Sequence, residues 1–254
     1  MFFLRSFVIQ KDFSLKPLRI LSWNILHGGG TRCEQILDTI EQHDPDIVSL
    51  QEFRHGSSKP VLLDGLKKLG LDTVCAPETS NARENSLMIA TRLPMTAAPY
   101  PDVKSPAKAI SARIEVSPMV EINLIAVHFP QKKEQIPLFN ALLELPPEWL
   151  DGLSMLVGDF NCGIPFEDSE TKTFYSTHMF QQLLSQGWKD SWRTRHPDAR
   201  EYTWVSTRKS NGFRYDHALA SPALNDMILN VSYDHEAREL KASDHSLLLV
   251  DVDC

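Results

Sequence analysis

Cysteine is sparse in this chain, and the few residues present set aside two classes of protein. Cys33, Cys75, Cys162 and Cys254 lie far apart, with no CxxC pair and no Cys/His spacing of the kind that holds zinc. A disulfide framework and a structural zinc site are both disfavoured, and reduced thiols in a cytoplasmic setting fit better. No apolar stretch reaches the length of a membrane span. The opening string, MFFLRSFVIQKDF, is broken by Arg5, Lys11 and Asp12 and leads to no small-residue cleavage site, so it does not read as a signal peptide. There is no G-x-S-x-G string to present a serine nucleophile. Net positive charge is missing too: the formal charge is −7, which argues against a general nucleic-acid coat but not against a locally basic face. Linkers, repeats and low-complexity segments are absent, so the chain reads as a single domain, 1–254, large enough for a core without staples.

What the chain does have is six short polar clusters, each set against an apolar run. Asn24 follows Ile20-Leu21-Ser22-Trp23, Gln51-Glu52 follows Ile47-Val48-Ser49-Leu50, and His128 follows Leu124-Ile125-Ala126-Val127. Gly158-Asp159-Phe160-Asn161 follows Met155-Leu156-Val157, while Arg214-Tyr215-Asp216-His217 and Ser243-Asp244-His245 each precede an apolar run. Apolar runs of this length bounded by polar residues read as buried strands. A polar strand end is common singly; six together suggest a shared site at the rim of a sheet core.

Strand-like and helix-like stretches alternate along the chain. Strands are expected at 18–24, up to Glu52, near Thr73, at 87–91, 109–116, 121–128 and 154–158, around Trp204, at 215–220 and at 243–252. Helices are expected at 31–43, 60–69 with Gly70 as a cap, 134–145 closed by Pro146-Pro147, and 174–185. Turns fall at Pro94 and Ser117-Pro118. Between residues 186 and 221 the basic side chains of Lys189, Arg193, Arg195, Arg200, Arg208, Lys209 and Arg214 outnumber the acids. A solvated loop and a phosphate-tracking surface explain that bias equally well.

Glu52 and Asp244, with Asn24 beside them, are hard oxygen donors of the type Mg²⁺ prefers. Taken one at a time, each acid is more simply a strand-end or turn residue. Asp159 and Asn161, two apart, can point to one side and converge on one atom. The carboxylate would orient or deprotonate a water or protonate a leaving oxygen, and the amide would hold a phosphate oxygen. A local Asx-type turn is the plainer alternative. Asp216 and His245 can form a carboxylate–imidazole pair, with water as the nucleophile. His128 is a further donor toward developing charge, whereas His217 should face the opposite side from Asp216. Trp204 is read as core in preference to a base-stacking surface.

The ordered set SWN, LQE, VHFP, GDFN, RYDH and SDH resembles the endonuclease/exonuclease/phosphatase superfamily of Mg²⁺-dependent phosphodiesterases and phosphatases, over almost the whole chain. The stretch 187–221 is most similar to the exonuclease III and abasic-site endonuclease branch. That resemblance implies Glu52 as principal metal ligand with Asn24 and Asp244 near the metal, Asp159 on the water or leaving group, Asn161 on the scissile phosphate, and His245 as catalytic histidine partnered by Asp216. It implies an α/β fold, a four-layer sandwich of two mixed β-sheets packed face to face with outer helices, as in deoxyribonuclease I. His128 departs from the exonuclease III branch, where tyrosine is usual, and matches the deoxyribonuclease I-like and sphingomyelinase-like branches. Ile25-Leu26 replaces the acidic or amide residue often found after the first asparagine, and Glu52 is followed by Phe53-Arg54. The expected function is therefore Mg²⁺-dependent hydrolysis, Mn²⁺ serving as an alternative ion, of a phosphodiester in DNA. A small-molecule or lipid-headgroup phosphoester is the alternative substrate, and a monomer is the expected state.

Overall fold

The structure is a computed structural model that describes residues 16–98, 108–172 and 174–254; the N-terminal string considered above as a signal peptide lies outside them. Strands β1 (Leu18–Asn24), β2 (Ile47–Phe53), β3 (Thr73–Cys75) and β4 (Ser86–Thr91) are interleaved with helices α1 (Cys33–His43) and α2 (Ser58–Lys68). Then come β5 (Met95–Ala98), β6 (Ala109–Ser117), β7 (Val120–His128), α3 (Ile136–Leu143), α4 (Pro147–Asp151) and β8 (Ser154–Asp159). Helix α5 (Thr177–Gln186) leads to short β9 (Lys189–Asp190) and α6 (Ser191–Arg195), then to the two-residue strands β10 (Trp204–Val205) and β11 (Gly212–Phe213). The chain finishes with β12 (Asp216–Ala220), α7 (Pro222–Met227), β13 (Ile228–Asp234), α8 (Glu236–Glu239) and β14 (Leu247–Val252).

Two mixed six-stranded sheets form, in the orders β13-β14-β1-β2-β4-β3 and β5-β6-β7-β8-β12-β9. Period-two alternation sorts their side chains into layers. Ile20, Leu124, Ala126, Met155, Val157, Ala218, Leu248 and Val250 fill the space between the sheets. Leu21, Trp23, Val48 and Leu50 pack outward under α1 and α2, and Ile125, Val127, Leu156 and Leu219 outward under α3 and α5. The result is the expected four-layer α/β sandwich.

Following that parity to the strand ends locates the polar rim. Asn24 continues the inward face of β1, His128 that of β7, Asp159 that of β8, and Asp216 begins that of β12. The pairings β7·β8 and β8·β12 set His128, Asp159 and Asp216 in one row across three neighbouring strands. Directly paired residues share a face. His217 has the opposite parity and packs against Phe160 and Phe180 in the outer layer.

Two backbone features secure this edge. Gly158 has φ 140°, and a Cβ there would stand 2.0 Å from the Val127 carbonyl oxygen, so only glycine allows β8 to run against β7 just before Asp159. In β2 the register against β4 shifts between Gln51 and Phe53. Glu52 is the extra residue, with φ 61°. This bulge lets Phe53 enter the outer core while Glu52 turns to the rim.

Elsewhere the structure departs from the sequence reading. The third helix ends at Leu143, before the two prolines, and Pro147 instead opens α4, because a helix's first turn tolerates a residue without an N–H. The edge strands β5 and β13 carry no clear sequence signal, both having mixed polarity on half-exposed faces. The basic bias of 186–221 is partly structural. Arg214 is buried between Asp168 (2.7 Å) and Asp190 (2.5 Å), Arg193 also reaches Asp168, and Arg195 binds the carbonyls of Asn225 and Ile228. Burial works against the Asp190 anion, but Arg214 more than reverses it and holds the carboxyl far below the usual range. Arg214→Met would leave buried Asp190 without its arginine and Asp168 with Arg193 alone, a loss of about 3–5 kcal/mol. Thermal unfolding should show Tm lower by roughly 6–20 °C; a change within about 2 °C would contradict this account of the network.

Candidate active site

A cleft of about 380 Å³ opens where the two sheets' strand ends meet, and Asn24, Glu52, His128, Asp159, Asn161, Asp244 and His245 all line it. Asp216 lies behind His245. Every candidate named from the sequence is therefore gathered at one place, although each holds its position differently.

Asp159 is the hub. Its Oδ2 accepts from Asn24 Nδ2 across the gap between the sheets at 3.0 Å and from Asn161 Nδ2 at 3.2 Å. Its Oδ1 accepts the Asn161 backbone N–H at 2.8 Å. That last bond is the local Asx-type turn, so the plainer reading of Gly-Asp-Phe-Asn does occur, with the other oxygen left to face the cleft. Asn161, at φ 46°, also donates from Nδ2 to the Phe129 carbonyl at 2.9 Å. Its amide thus fixes Asp159 as it stands. Asn24 accepts the Leu26 N–H on Oδ1 and turns Nδ2 to Glu52 at 3.5 Å as well as to Asp159. In this orientation it links the two carboxylates.

The histidine pair forms. His245 Nδ1 lies 2.9 Å from Asp216 Oδ2, and its Nε2 faces Asp159 Oδ2 at 3.9 Å. Burial pushes the His245 ring toward neutrality, but Asp216 and then Asp159 outweigh it and raise its pKa to about 10. Asp159 moves the other way for a carboxylate: burial first, and Asp216 with it, raise it to about 7 against the lowering effect of His245. His128 is held neutral, since burial and the nearby Lys108 and His245 depress it to about 3. Its Nε2 stands 3.8 Å from both Glu52 and Asp159, and its buried Nδ1 has no hydrogen-bond partner among the described residues.

Supporting residues outside the candidate set hold these groups. Ser243 Oγ donates to the Asn24 carbonyl and Trp23 Nε1 to the His245 carbonyl. Tyr233 donates its hydroxyl to the Asp216 carbonyl at 2.7 Å, and Thr203 Oγ1 accepts the N–H groups of Tyr215 and Asp216. Of these, Trp23 and Ser243 fall inside the SWN and SDH strings, while Tyr233 and Thr203 lie outside the six strings. Trp204 is not core. It is half-buried, pairs with His245 in an isolated bridge, and donates from Nε1 to exposed Asp244 at 3.0 Å. The β10–β11 ribbon lies over the site and not inside the sandwich, which is why the tryptophan meets the cleft.

Two donor sets fit a divalent cation. Asp159, Asp216 and His245 offer ligand atoms within 4.8 Å of one another. Glu52 offers a carboxylate to the open cleft, with His27 Nδ1 2.8 Å away. The first set is buried and joined internally by the Asp216–His245 contact, so a metal there would have to break that pair; Glu52 is the better holder.

Residues 21–245 match the Endonuclease/Exonuclease/phosphatase family, and the chain belongs to it. This is a family of phosphoester hydrolases. Among solved structures the chain is similar to an AP endonuclease from Archaeoglobus fulgidus, with 20% identity and TM-score 0.78, covering 93% of this chain and all of that one. It is also similar to the 3′-5′ exonuclease NExo from Neisseria meningitidis, with 24% identity and TM-score 0.77 over the same shares. A further match is a single-residue variant of the Neisseria 3′ phosphatase NExo bound to a product DNA hairpin, also at 24% identity, with TM-score 0.77 and coverage of 93% of this chain and all of that one.

The charge states are directly measurable. In protein without added metal, NMR titration should show His245 protonated until about pH 10 and the His128 ring still neutral near pH 4. Because folding raises the His245 pKa above its usual 6.5, its pair with Asp216 contributes stability in full below about pH 6.5 and loses it as pH rises through about 10. A His245 ring that titrates near 6.5 would remove this electrostatic account.

Proposed function

We propose that the protein hydrolyses a phosphodiester bond in DNA, with Mg²⁺, or Mn²⁺ in its place, held at Glu52. The observation that carries this reading is the meeting, in one cleft, of a carboxylate poised near neutral pH with an imidazolium fixed by a second carboxylate. Asp159, titrating at about 7, is matched to taking a proton from water at physiological pH. Asn24 and Asn161 hold it by two amide donors, so its attacking geometry is set before substrate arrives. His245, kept cationic by Asp216, presents Nε2–H to the charge that develops on the phosphoryl or leaving oxygen. His128, being neutral, contributes a hydrogen-bond donor without a charge. A divalent ion at Glu52 would supply Lewis-acid stabilisation of the same oxygens. The similar structures named for AP endonuclease, 3′ phosphatase and 3′-5′ exonuclease activities support DNA as the substrate class.

One observation favours a smaller phosphoester as the second reading. Arg193, Arg195 and Arg214 are engaged in structural bonds, which removes much of the basic surface a long polyanion would use, and the net charge is −7. A substrate panel decides between the two: abasic duplex, 3′-phosphorylated and recessed DNA ends, RNA, and small phosphodiesters. Hydrolysis of DNA that stops with chelator supports the first reading; hydrolysis confined to small esters replaces it with the second. On whichever substrate is turned over, Asp159→Asn and His245→Ala should each lower kcat by roughly 10²–10⁴-fold. Near-normal turnover by either variant would refute the assignment of the cleft.

A further inference from the structure

A further group lining the cleft is His27, in the turn after β1. Leu26, His27, Gly28, Gly29 and Gly30 all have positive φ, 51° to 76°. For two non-glycine residues this is strained backbone of the kind that persists at functional sites. Gly28 is needed because a Cβ there would meet Arg54 Cβ at 2.8 Å. The turn folds residue 27 back onto the bulged Glu52, itself left-handed. The backbone N–H of His27 donates to Glu52 Oε2 at 2.7 Å, and its ring Nδ1 lies 2.8 Å from the same oxygen.

That ring nitrogen also lies 2.8 Å from Arg54 Nη2. A ring nitrogen carries either a proton or a lone pair, so it cannot satisfy a carboxylate oxygen and a guanidinium N–H together. Arg54 has a separate anchor, its Nε donating to Asn85 Oδ1 at 2.6 Å, and can release the ring without losing its place. The spacing between Nδ1 and Oε2 is close to the roughly 3.0 Å edge of an octahedron with bonds of about 2.1 Å. We propose that His27 Nδ1 and Glu52 Oε2 together ligate one divalent cation, so that the site has a nitrogen donor that adds affinity for a borderline transition-metal ion while Glu52 still accepts Mg²⁺. Imidazole suits such ions, whereas an all-oxygen set suits Mg²⁺.

The inference rests on the reading of Glu52 as metal ligand, and calorimetry separates the two. Co²⁺ and Mg²⁺ are titrated into the full chain, its His27→Ala variant and its Glu52→Gln variant, with the Co²⁺ absorption band recorded in parallel. His27 is more than half exposed, so its replacement is not expected to disturb folding, and circular dichroism checks this. The expected result is Co²⁺ affinity reduced at least about tenfold in His27→Ala with a shifted absorption band, Mg²⁺ affinity nearly unchanged, and both ions lost in Glu52→Gln. If His27→Ala binds Co²⁺ like the unmodified chain while Glu52→Gln does not, His27 is no ligand and only the Glu52 reading survives. If Glu52→Gln binds both ions normally, both readings fall.

Discussion

A strand turns successive side chains to opposite faces, and this site depends on that rule being kept in four strands and broken in a fifth. In β1, β7, β8 and β12 the inward parity that supplies core residues runs on, at the strand ends, into Asn24, His128, Asp159 and Asp216. The apolar filling between the sheets and the polar cleft are one continuous layer. In β2 unbroken alternation would have sent Glu52 outward with Leu50. The bulge at Glu52 reverses that, giving the outer core Phe53 and the cleft a carboxylate. Packing energy from the apolar part of the layer thus holds charged groups in positions they would not take alone.

Holding carboxylates at the edge of a dry core has an electrostatic consequence. Asp159 is raised by burial and by Asp216, so its proton becomes exchangeable near neutrality instead of at acid pH. The same two carboxylates raise His245, so each member of the cluster tunes the next. Behind them the Arg214–Asp168–Asp190 network fixes the start of β12, where Asp216 sits, and Tyr233 ties that backbone to Arg214.

How much of this was legible in the sequence follows from the range of each signal. The six strand ends were readable because apolar runs and their polar termini are local patterns, and the sandwich followed from their resemblance to a family. The bulge was not readable, since it exists only in the pairing of β2 with β4. His27 is not legible in the sequence because nothing local brings it to Glu52; a left-handed turn does. The basic residues near 214 were visible as charge. Their partners Asp168 and Asp190, 46 and 24 residues away from Arg214, were not, and so the bias resembled a surface. Trp204 departs from its pattern for the opposite reason: aromatic residues usually mark core, but a two-residue ribbon cannot enter a sandwich already filled.

The cleft also solves a problem of two acids. Glu52 from one sheet and Asp159 from the other face a shared space, where two like charges would repel at close quarters. Two neutral donors stand between them. Asn24 Nδ2 reaches both carboxylates, and His128 Nε2 is equidistant from them. A charged imidazole at residue 128 would instead form an ion pair with these carboxylates, and its depressed pKa prevents this. Neutrality at His128 therefore leaves the carboxylates of the two sheets distinct, bridged across the cleft by uncharged groups and not by an ion pair.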